Sequence, residues 1–236
     1  MCGRFSVAVN PEVLVERFEV SLPDETLFPR YNAAPTQKLP VITNEDDRKI
    51  KLFRWGLIPS WAKDLSIGNK LINARAETLS EKPSFRKALE KRRCLVPADG
   101  FYEWQKTAQG KIPLRFTLRS EEPFAFAGLW EQWTSSTGEM IPSFTIITTT
   151  ANELVTPIHN RMPVILRREN EHAWLNNASG VKSWISLLVP YVAGEMKCYP
   201  VSPRINSPGF DDPSVLEPDT SVGKDKDSFP TQQTHS

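Results

Sequence analysis

Cys2 is the residue of this chain with the most distinctive chemistry. Removal of Met1 would leave Cys2 with an α-amine and a thiol on neighbouring carbons, the arrangement called a 1,2-aminothiol. Such a group condenses with an aldehyde in two steps, because the amine forms a Schiff base and the thiolate then adds to the same carbon to close a thiazolidine ring. An α-amine titrates near ~8 and a thiol near ~8.5, so a fraction of each is nucleophilic at neutral pH. The alternative interpretation is that Cys stands at position 2 by chance.

Four short segments contain more polar, Gly and Pro residues than a buried core tolerates. They cover residues 1–5, 73–78, 97–104 and 159–163. His159 lies in the last of them, and histidine is the side chain best suited to give a proton near neutral pH. A single loop histidine is more often a surface residue than a catalyst, so His159 alone leaves both interpretations open.

The composition is typical of a globular protein from a reducing compartment. The 236 residues are 39% hydrophobic and 10% aromatic, which is ample for one core. The three cysteines are widely spaced and form no CxxC pair, which argues against a disulfide framework. The three histidines are equally scattered, and the sequence has no phosphate-binding glycine loop. We therefore expect neither a metal nor a nucleotide cofactor.

Charge and hydropathy bound the partners that the chain can have. No stretch approaches the ~18 apolar residues that a membrane span needs, and no signal peptide is evident, so the prediction is a cytoplasmic protein without membrane contact. The net charge is +1, but residues 207–236 hold six acids and two bases, which leaves the preceding residues basic. A basic body fits a cleft for nucleic acid and also fits an ordinary solvated surface.

The elements that must position these residues are of mixed type. Asn10 followed by Pro11 predicts the start of a helix. Further helices are predicted at 84–92 and 171–176. Strands are predicted from β-branched and aromatic runs at 38–42, 50–57, 112–118, 124–129 and 144–149.

The pattern has neither a regular βαβ alternation nor a repeat. It therefore predicts one α+β domain over residues 1–218, built on a bent antiparallel sheet or partial β-barrel flanked by helices. Residues 219–236 are polar and poor in core formers, so they are predicted to be a disordered tail.

Taken together, the four polar segments closely resemble the SOS-response-associated peptidase (SRAP) family of abasic-site processing proteins, whose N-terminal Cys crosslinks to abasic sites in single-stranded DNA. The resemblance runs from Cys2 to about Pro218. Further matching pieces lie at 30–35, 54–57 and 127–130.

The resemblance implies catalytic roles for Cys2, Glu103 and His159. Cys2 would form the thiazolidine, while Glu103 beside its amine would move protons during imine formation and ring closure. His159 would protonate the sugar oxygen as the deoxyribose ring opens. Without the resemblance, Glu103 would be interpreted as an exposed carboxylate at a strand end.

The resemblance also implies how the lesion is recognised. Asn73 offers both an amide donor and a carbonyl acceptor and would sense the abasic sugar. Arg4, Arg75 and Arg161 are predicted DNA-binding residues, although each could equally be a structural or surface residue. No more than one or two of the seven tryptophans are expected to stack on bases at the cleft, and the candidates include Trp55, Trp61 and Trp104.

The function expected from the resemblance is a DNA damage response. After autoproteolytic removal of Met1, the protein would shield abasic sites in single-stranded DNA as a covalent complex, with a possible β-elimination lyase reaction. Two alternatives remain open: a thiol peptidase that uses Cys2 and His159 on protein substrates, and a non-covalent module for single-stranded DNA. A monomer is expected in each case.

Overall fold

The computed structural model describes residues 2–223 and shows an α+β domain built on two sheets. The described α-helices are α1 (Pro11–Phe18), α2 (Arg86–Lys91), α3 (Arg168–Leu175) and α4 (Val181–Ser186). The first seven strands are β1 (Phe5–Val7), β2 (Arg30–Ala33), β3 (Lys38–Thr43), β4 (Asp46–Trp55), β5 (Asn73–Arg75), β6 (Arg93–Ala98) and β7 (Gly100–Thr107). The others are β8 (Gly110–Leu118), β9 (Phe124–Thr134), β10 (Met140–Thr150), β11 (Arg161–Pro163), β12 (Ile165–Leu166) and β13 (Met196–Pro200). The predicted α+β class is confirmed.

Five strands close into a barrel. They pair in the order β10, β4, β3, β6 and β9, and β9 returns to β10. Strand β10 runs parallel to β4 and β5, whereas the other pairs of the ring are antiparallel. The interior is filled by aromatic rings, with Trp55 stacked on Phe144 at 6.3 Å and the ring of Phe5 5.1 Å from Trp55. The predicted bent sheet is thus a closed barrel.

A second sheet of five antiparallel strands lies beside the barrel, in the order β13-β8-β7-β1-β2. Phe5 of β1 pairs with Phe101 of β7, and the N–H of Tyr102 donates to the Arg4 carbonyl at 3.0 Å. Continuing this register toward the N-terminus brings position 3 opposite position 103. The pairing of β1 with β7 therefore positions Cys2 near Glu103.

Asp99 and Arg115 anchor this sheet from within. Arg115 forms an ion pair with Asp99 at 3.0 Å and donates to the hydroxyl of Tyr199 at 2.7 Å, while Ser6 donates to Asp99 at 2.6 Å. A Cβ atom at Gly100 would lie within 3.0 Å of the Arg115 guanidinium, so glycine is required for this close approach.

The segment 201–216, here called the C-terminal clasp, packs across β2 and β7. Val201, Ile205 and Val215 are buried against Tyr102. The carboxylate of Asp211 accepts from the N–H groups of Tyr31 and Asn32. The clasp thus fixes the edge of the sheet that carries Cys2.

The predicted helices and strands are found with shifted ends. The helix after Asn10 is α1, with Pro11 as its first residue, although the Asn10 side chain accepts no capping hydrogen bond. The other predicted segments correspond to α2, α3, β3, β4, β8, β9 and β10. Within residues 2–223 no helix is long and apolar enough to cross a membrane. Of the predicted disordered tail, the described part includes a 3₁₀ helix at Thr220–Gly223, and positions 224–236 lie outside the described residues.

Candidate active site

Cys2 is fully buried and is held on two sides. Its thiol donates to the Arg4 carbonyl, with Sγ 3.7 Å from the oxygen, and its own carbonyl accepts from Asn73 Nδ2 at 2.7 Å. Burial raises the pKa of the Cys2 thiol above its ordinary value, and the negative charge of Glu103 raises it further. The thiol is therefore stable in its protonated form.

Glu103 on β7 is 5% exposed, and its carboxylate acts electrostatically on the Cys2 thiol. Burial raises the pKa of Glu103, while the positive charge of His159 acts in the opposite direction. A carboxyl group whose acid form is favoured in this way is suited to give a proton as well as to accept one.

His159 lies in the loop between β10 and β11, at the end of the barrel. The N–H of Arg161 donates to His159 Nδ1 at 2.9 Å, which in the neutral ring leaves the proton on Nε2. The carbonyl of Arg161 lies 3.1 Å from the same nitrogen and can accept a proton from Nδ1 when the ring is charged. The backbone of one residue thus serves both protonation states of the imidazole.

Glu103 and His159 face one cavity of about 480 Å³. Its other lining residues are Trp104, Lys106, Lys111, Pro157, Ile158 and Asn160. Pro157 also lines a second cavity of about 690 Å³. The indole nitrogen of Trp104 donates to Asn206 of the C-terminal clasp at 2.7 Å, which fixes the ring at the cavity wall.

Asn73 lies on β5, which pairs in parallel with β10. Its Nδ2 is committed to Cys2, whereas its Oδ1 is buried and has no hydrogen-bond partner among the described residues. A held amide with an unsatisfied acceptor is suited to receive a hydroxyl donor. Arg75, two residues later on the same face of the strand, is exposed and forms no ion pair within 4.0 Å among residues 2–223.

Arg4 and Arg161 are both engaged in internal contacts. Arg4 Nη1 donates to Asn32 Oδ1 at 2.7 Å and to the Ile205 carbonyl at 2.9 Å. Arg161 binds Glu77 through two hydrogen bonds of 2.6 and 2.9 Å and also donates to a carbonyl of β10. Their predicted contact with DNA stays a prediction, and the structure gives each a positioning role in addition.

The structure brings Cys2, Asn73, Glu103 and His159 together and adds residues that sequence reasoning did not identify. Lys106 and Lys111 line the cavity, and Asn32 is the hub that joins Arg4 to the C-terminal clasp. The two lysines lie at equal distances from the turn between β7 and β8. Prediction of this hairpin from the sequence would have placed them opposite each other. Among the residues that the structure describes, no group of three or more His, Cys, Asp or Glu side chains is arranged to hold a metal ion.

Fold and site together define a one-domain protein whose second residue, a buried cysteine, meets a carboxylic acid and a histidine at the end of a barrel. The model of the SOS response associated peptidase (SRAP) family matches residues 1–208. The chain belongs to this family.

Relatives and solved structures agree with this assignment. The chain is 49% identical to the abasic site processing protein YoqW of Bacillus subtilis, over 92% of this chain and 99% of that protein. It is 33% identical to the abasic site processing protein HMCES of Gallus gallus, over 80% of this chain and 66% of that longer protein. A crystal structure of a protein from Bacteroides thetaiotaomicron superposes with a TM-score of 0.86 at 32% identity, covering 92% of this chain and 100% of that one.

Proposed function

We propose that this protein processes abasic sites in single-stranded DNA by forming a thiazolidine between Cys2 and the sugar aldehyde. The observation that carries the proposal is the register of β1 with β7, which brings the only residue able to become an N-terminal aminothiol against Glu103. Membership of the family and the names of the relatives support the same substrate.

The first chemical step is the opening of the deoxyribose ring. His159 lines the cavity beside Glu103. The imidazolium gives a proton to the ring oxygen while the C1′ hydroxyl loses its proton to water, so the bond between C1′ and the ring oxygen breaks and leaves the aldehyde free. The acceptor Asn73 Oδ1 is available to a sugar hydroxyl, since Nδ2 of the same amide is held by Cys2. The exposed position of Arg75 supports its assignment to a flanking phosphate.

The second step joins the protein to the aldehyde carbon. The Cys2 amine adds to C1′, and the resulting hydroxyl leaves as water with a proton from the acid form of Glu103. The thiol then adds to the imine carbon, its proton passes to the Glu103 carboxylate, and the ring nitrogen ends as a neutral amine. One aldehyde and one aminothiol thus give one thiazolidine and one water, and Glu103 finishes in the state in which it began.

Removal of Met1 must come before this reaction, because the amine of Cys2 is otherwise part of a peptide bond. The peptidase in the family description is most simply removal of this residue by the protein itself. A β-elimination lyase reaction would follow when the thiol does not close the ring, since an imine at C1′ acidifies the neighbouring C2′ proton. Protection of single-stranded DNA during the SOS response is the corresponding role in the cell.

The environment of Cys2 argues against the thiol peptidase alternative. A cysteine nucleophile that attacks peptide bonds is activated by a lowered pKa. Here burial raises the pKa of the thiol instead. A thiol that is required only after the imine has formed does not need this activation.

The test incubates the Met1-processed protein with single-stranded DNA that carries one abasic site and separates the products on a denaturing gel. We expect a shifted band that requires both Cys2 and the lesion, and we expect Glu103→Gln to slow its formation about 10²- to 10⁴-fold. Cys2→Ser keeps the amine, so it should give a band only after reduction of the imine with borohydride.

A second arm uses protein that retains Met1 or carries an N-terminal tag. It should give no band, whereas a thiol peptidase would keep its activity. A wild-type band that forms equally with undamaged DNA, or that survives in Cys2→Ala, would refute the proposed chemistry.

A further inference from the structure

Lys106 and Lys111 occupy an unusual position in the sheet. They lie directly opposite each other across the hairpin of β7 and β8, so their side chains stand on the same face. Like charges in directly opposed positions destabilise a strand pair. The hairpin therefore bears an unfavourable contact that a stabilising role in the fold does not explain.

The other lysines of the described strands are paired with carboxylates. Four more lysines lie in the described strands, and each has a carboxylate within 4.0 Å. These pairs are Lys38 with Glu25, Lys49 with Asp24, Lys51 with Asp46, and Lys197 with Glu121. Among residues 2–223, Lys106 and Lys111 are the two strand lysines without such a partner, and both are exposed.

The location of the pair connects it to the candidate site. Both lysines line the cavity that Glu103 and His159 share. The turn between them, from Thr107 to Gly110, carries no charge that would neutralise them. Two lysines at opposed positions on one face of the hairpin, both at the wall of this cavity, offer two positive charges to a compact anion.

We infer that Lys106 and Lys111 form a subsite for one phosphate of the DNA backbone beside the lesion. The identity of this ligand rests on the proposed function, since a phosphodiester is the anion that an abasic strand would bring to the cavity. Lysine binds phosphate as a point charge, and such contacts set the position of the strand without reading its sequence. Arg75 would hold a phosphate nearer to Asn73, so the lesion would lie between two cationic contacts.

The test measures binding of an undamaged single-stranded oligonucleotide by fluorescence anisotropy over a series of salt concentrations. For Lys106→Gln/Lys111→Gln we expect an affinity loss on the order of 10-fold at low salt. The slope of log K against log salt should become shallower by about 0.7, the value for one phosphate contact on a single strand. Lys87→Gln/Lys91→Gln removes the same charge from exposed positions on α2 and should leave both quantities unchanged.

A charge swap separates binding from folding. Lys106→Glu places opposite charges across the hairpin, so it should hold or raise the Tm while it weakens DNA binding more than Lys106→Gln does. With abasic DNA, the protein concentration that gives half of the maximal crosslinking rate should rise. An unchanged salt slope in the double variant, or an equal loss in the α2 control, would overturn the subsite.

The two proposals fail in different ways. If the wild type crosslinks abasic DNA but the lysine variants bind as it does, the subsite is wrong and the proposed function stands. If the wild type binds undamaged DNA through the lysines but forms no crosslink, the phosphate subsite stands and the thiazolidine chemistry is wrong.

Discussion

The barrel and the five-stranded sheet are held together by different kinds of interaction. Inside the barrel, the contacts around Trp55 are between aromatic rings that are fully buried, as in its stacking on Phe144. In the sheet, polar side chains hold the strands by hydrogen bonds and ion pairs, including those of Asn32 and of Arg115. The two regions meet at Phe5, whose ring packs against Trp55 and Phe126.

This difference separates stability from chemistry. Burial of apolar rings is strong but not directional, so it supports the fold without fixing any single atom. Hydrogen bonds contribute less net free energy, but they fix donor and acceptor positions within tenths of an ångström. We therefore expect damage to the barrel to lower the free energy of unfolding, and damage to the polar contacts of the sheet to slow the reaction of Cys2.

The largest expected effect on stability comes from the barrel. Phe144→Ala removes a fully buried ring and leaves a cavity, which should lower the free energy of unfolding by about 3–5 kcal/mol. Denaturant unfolding measures the loss. Where the variant is still folded, its crosslinking rate should stay close to that of the wild type.

Phe28 provides the matched control for Phe144, since the same side chain is 67% exposed. Phe28→Ala should change the free energy of unfolding by less than about 0.5 kcal/mol. A strong loss of crosslinking in Phe144→Ala under conditions where it is folded would contradict the separation of the two regions.

Asn32 should show the opposite balance. Its side-chain amide donates to the carbonyls of Ile205, Ser207 and Phe210, and its oxygen accepts from Arg4. Asn32→Ala leaves these buried groups unsatisfied, so it should cost about 1–3 kcal/mol of stability. It should also slow crosslinking, because the side chain of Arg4, two residues from Cys2, loses the acceptor that links it to the clasp.

The rate at which Cys2 reacts with a small aldehyde checks the positioning without DNA. Asn44→Ala is the control, since that amide is also well bonded but contacts Lys91 and Asn177, which belong neither to the clasp nor to the strand of Cys2. If both variants lose stability and neither changes the reaction of Cys2, the clasp contributes only to the stability of the fold and does not position Cys2.

The extent to which the sequence predicted the molecule follows the same division. Strands rich in β-branched and aromatic residues, such as β9 and β10, were predictable because these residue types favour buried strands. Strand β6 was missed since Pro97 interrupts its pattern, although all six of its residues are buried. Strand β7 was missed because Glu103 and Lys106 replace the apolar alternation of an ordinary strand.

The site could be predicted only through the resemblance. Nothing local in the sequence says that Cys2 lies beside Glu103, since the contact follows from the register between β1 and β7, nearly one hundred positions apart. The opposition of Lys106 and Lys111 likewise depends on pairing, and the clasp on Asn32 depends on residues 205–211. Long-range register is the information that composition and periodicity lack.

Glu103 should give the smallest of these effects. It belongs to the polar sheet, and its burial should lower the free energy of unfolding. Burial raises the pKa of this carboxyl in the folded protein, so the folded state binds its proton more tightly than the unfolded state does. At pH values below the unfolded pKa, near 4.3, both states are protonated and the group makes no difference. As the pH rises toward the folded pKa, the unfolded state ionises first and the wild type loses stability.

Glu103→Gln removes this titration. The free energy of unfolding of the variant minus that of the wild type should therefore rise with pH above about 4.3 and become constant beyond the folded pKa. Urea unfolding of both proteins across this range measures the difference, with the exposed Glu90→Gln on α2 as the control for loss of one carboxylate. A difference that falls with pH would mean that the charged form of Glu103 is stabilised in the fold, and the acid that we assign to imine formation would then have to be another group.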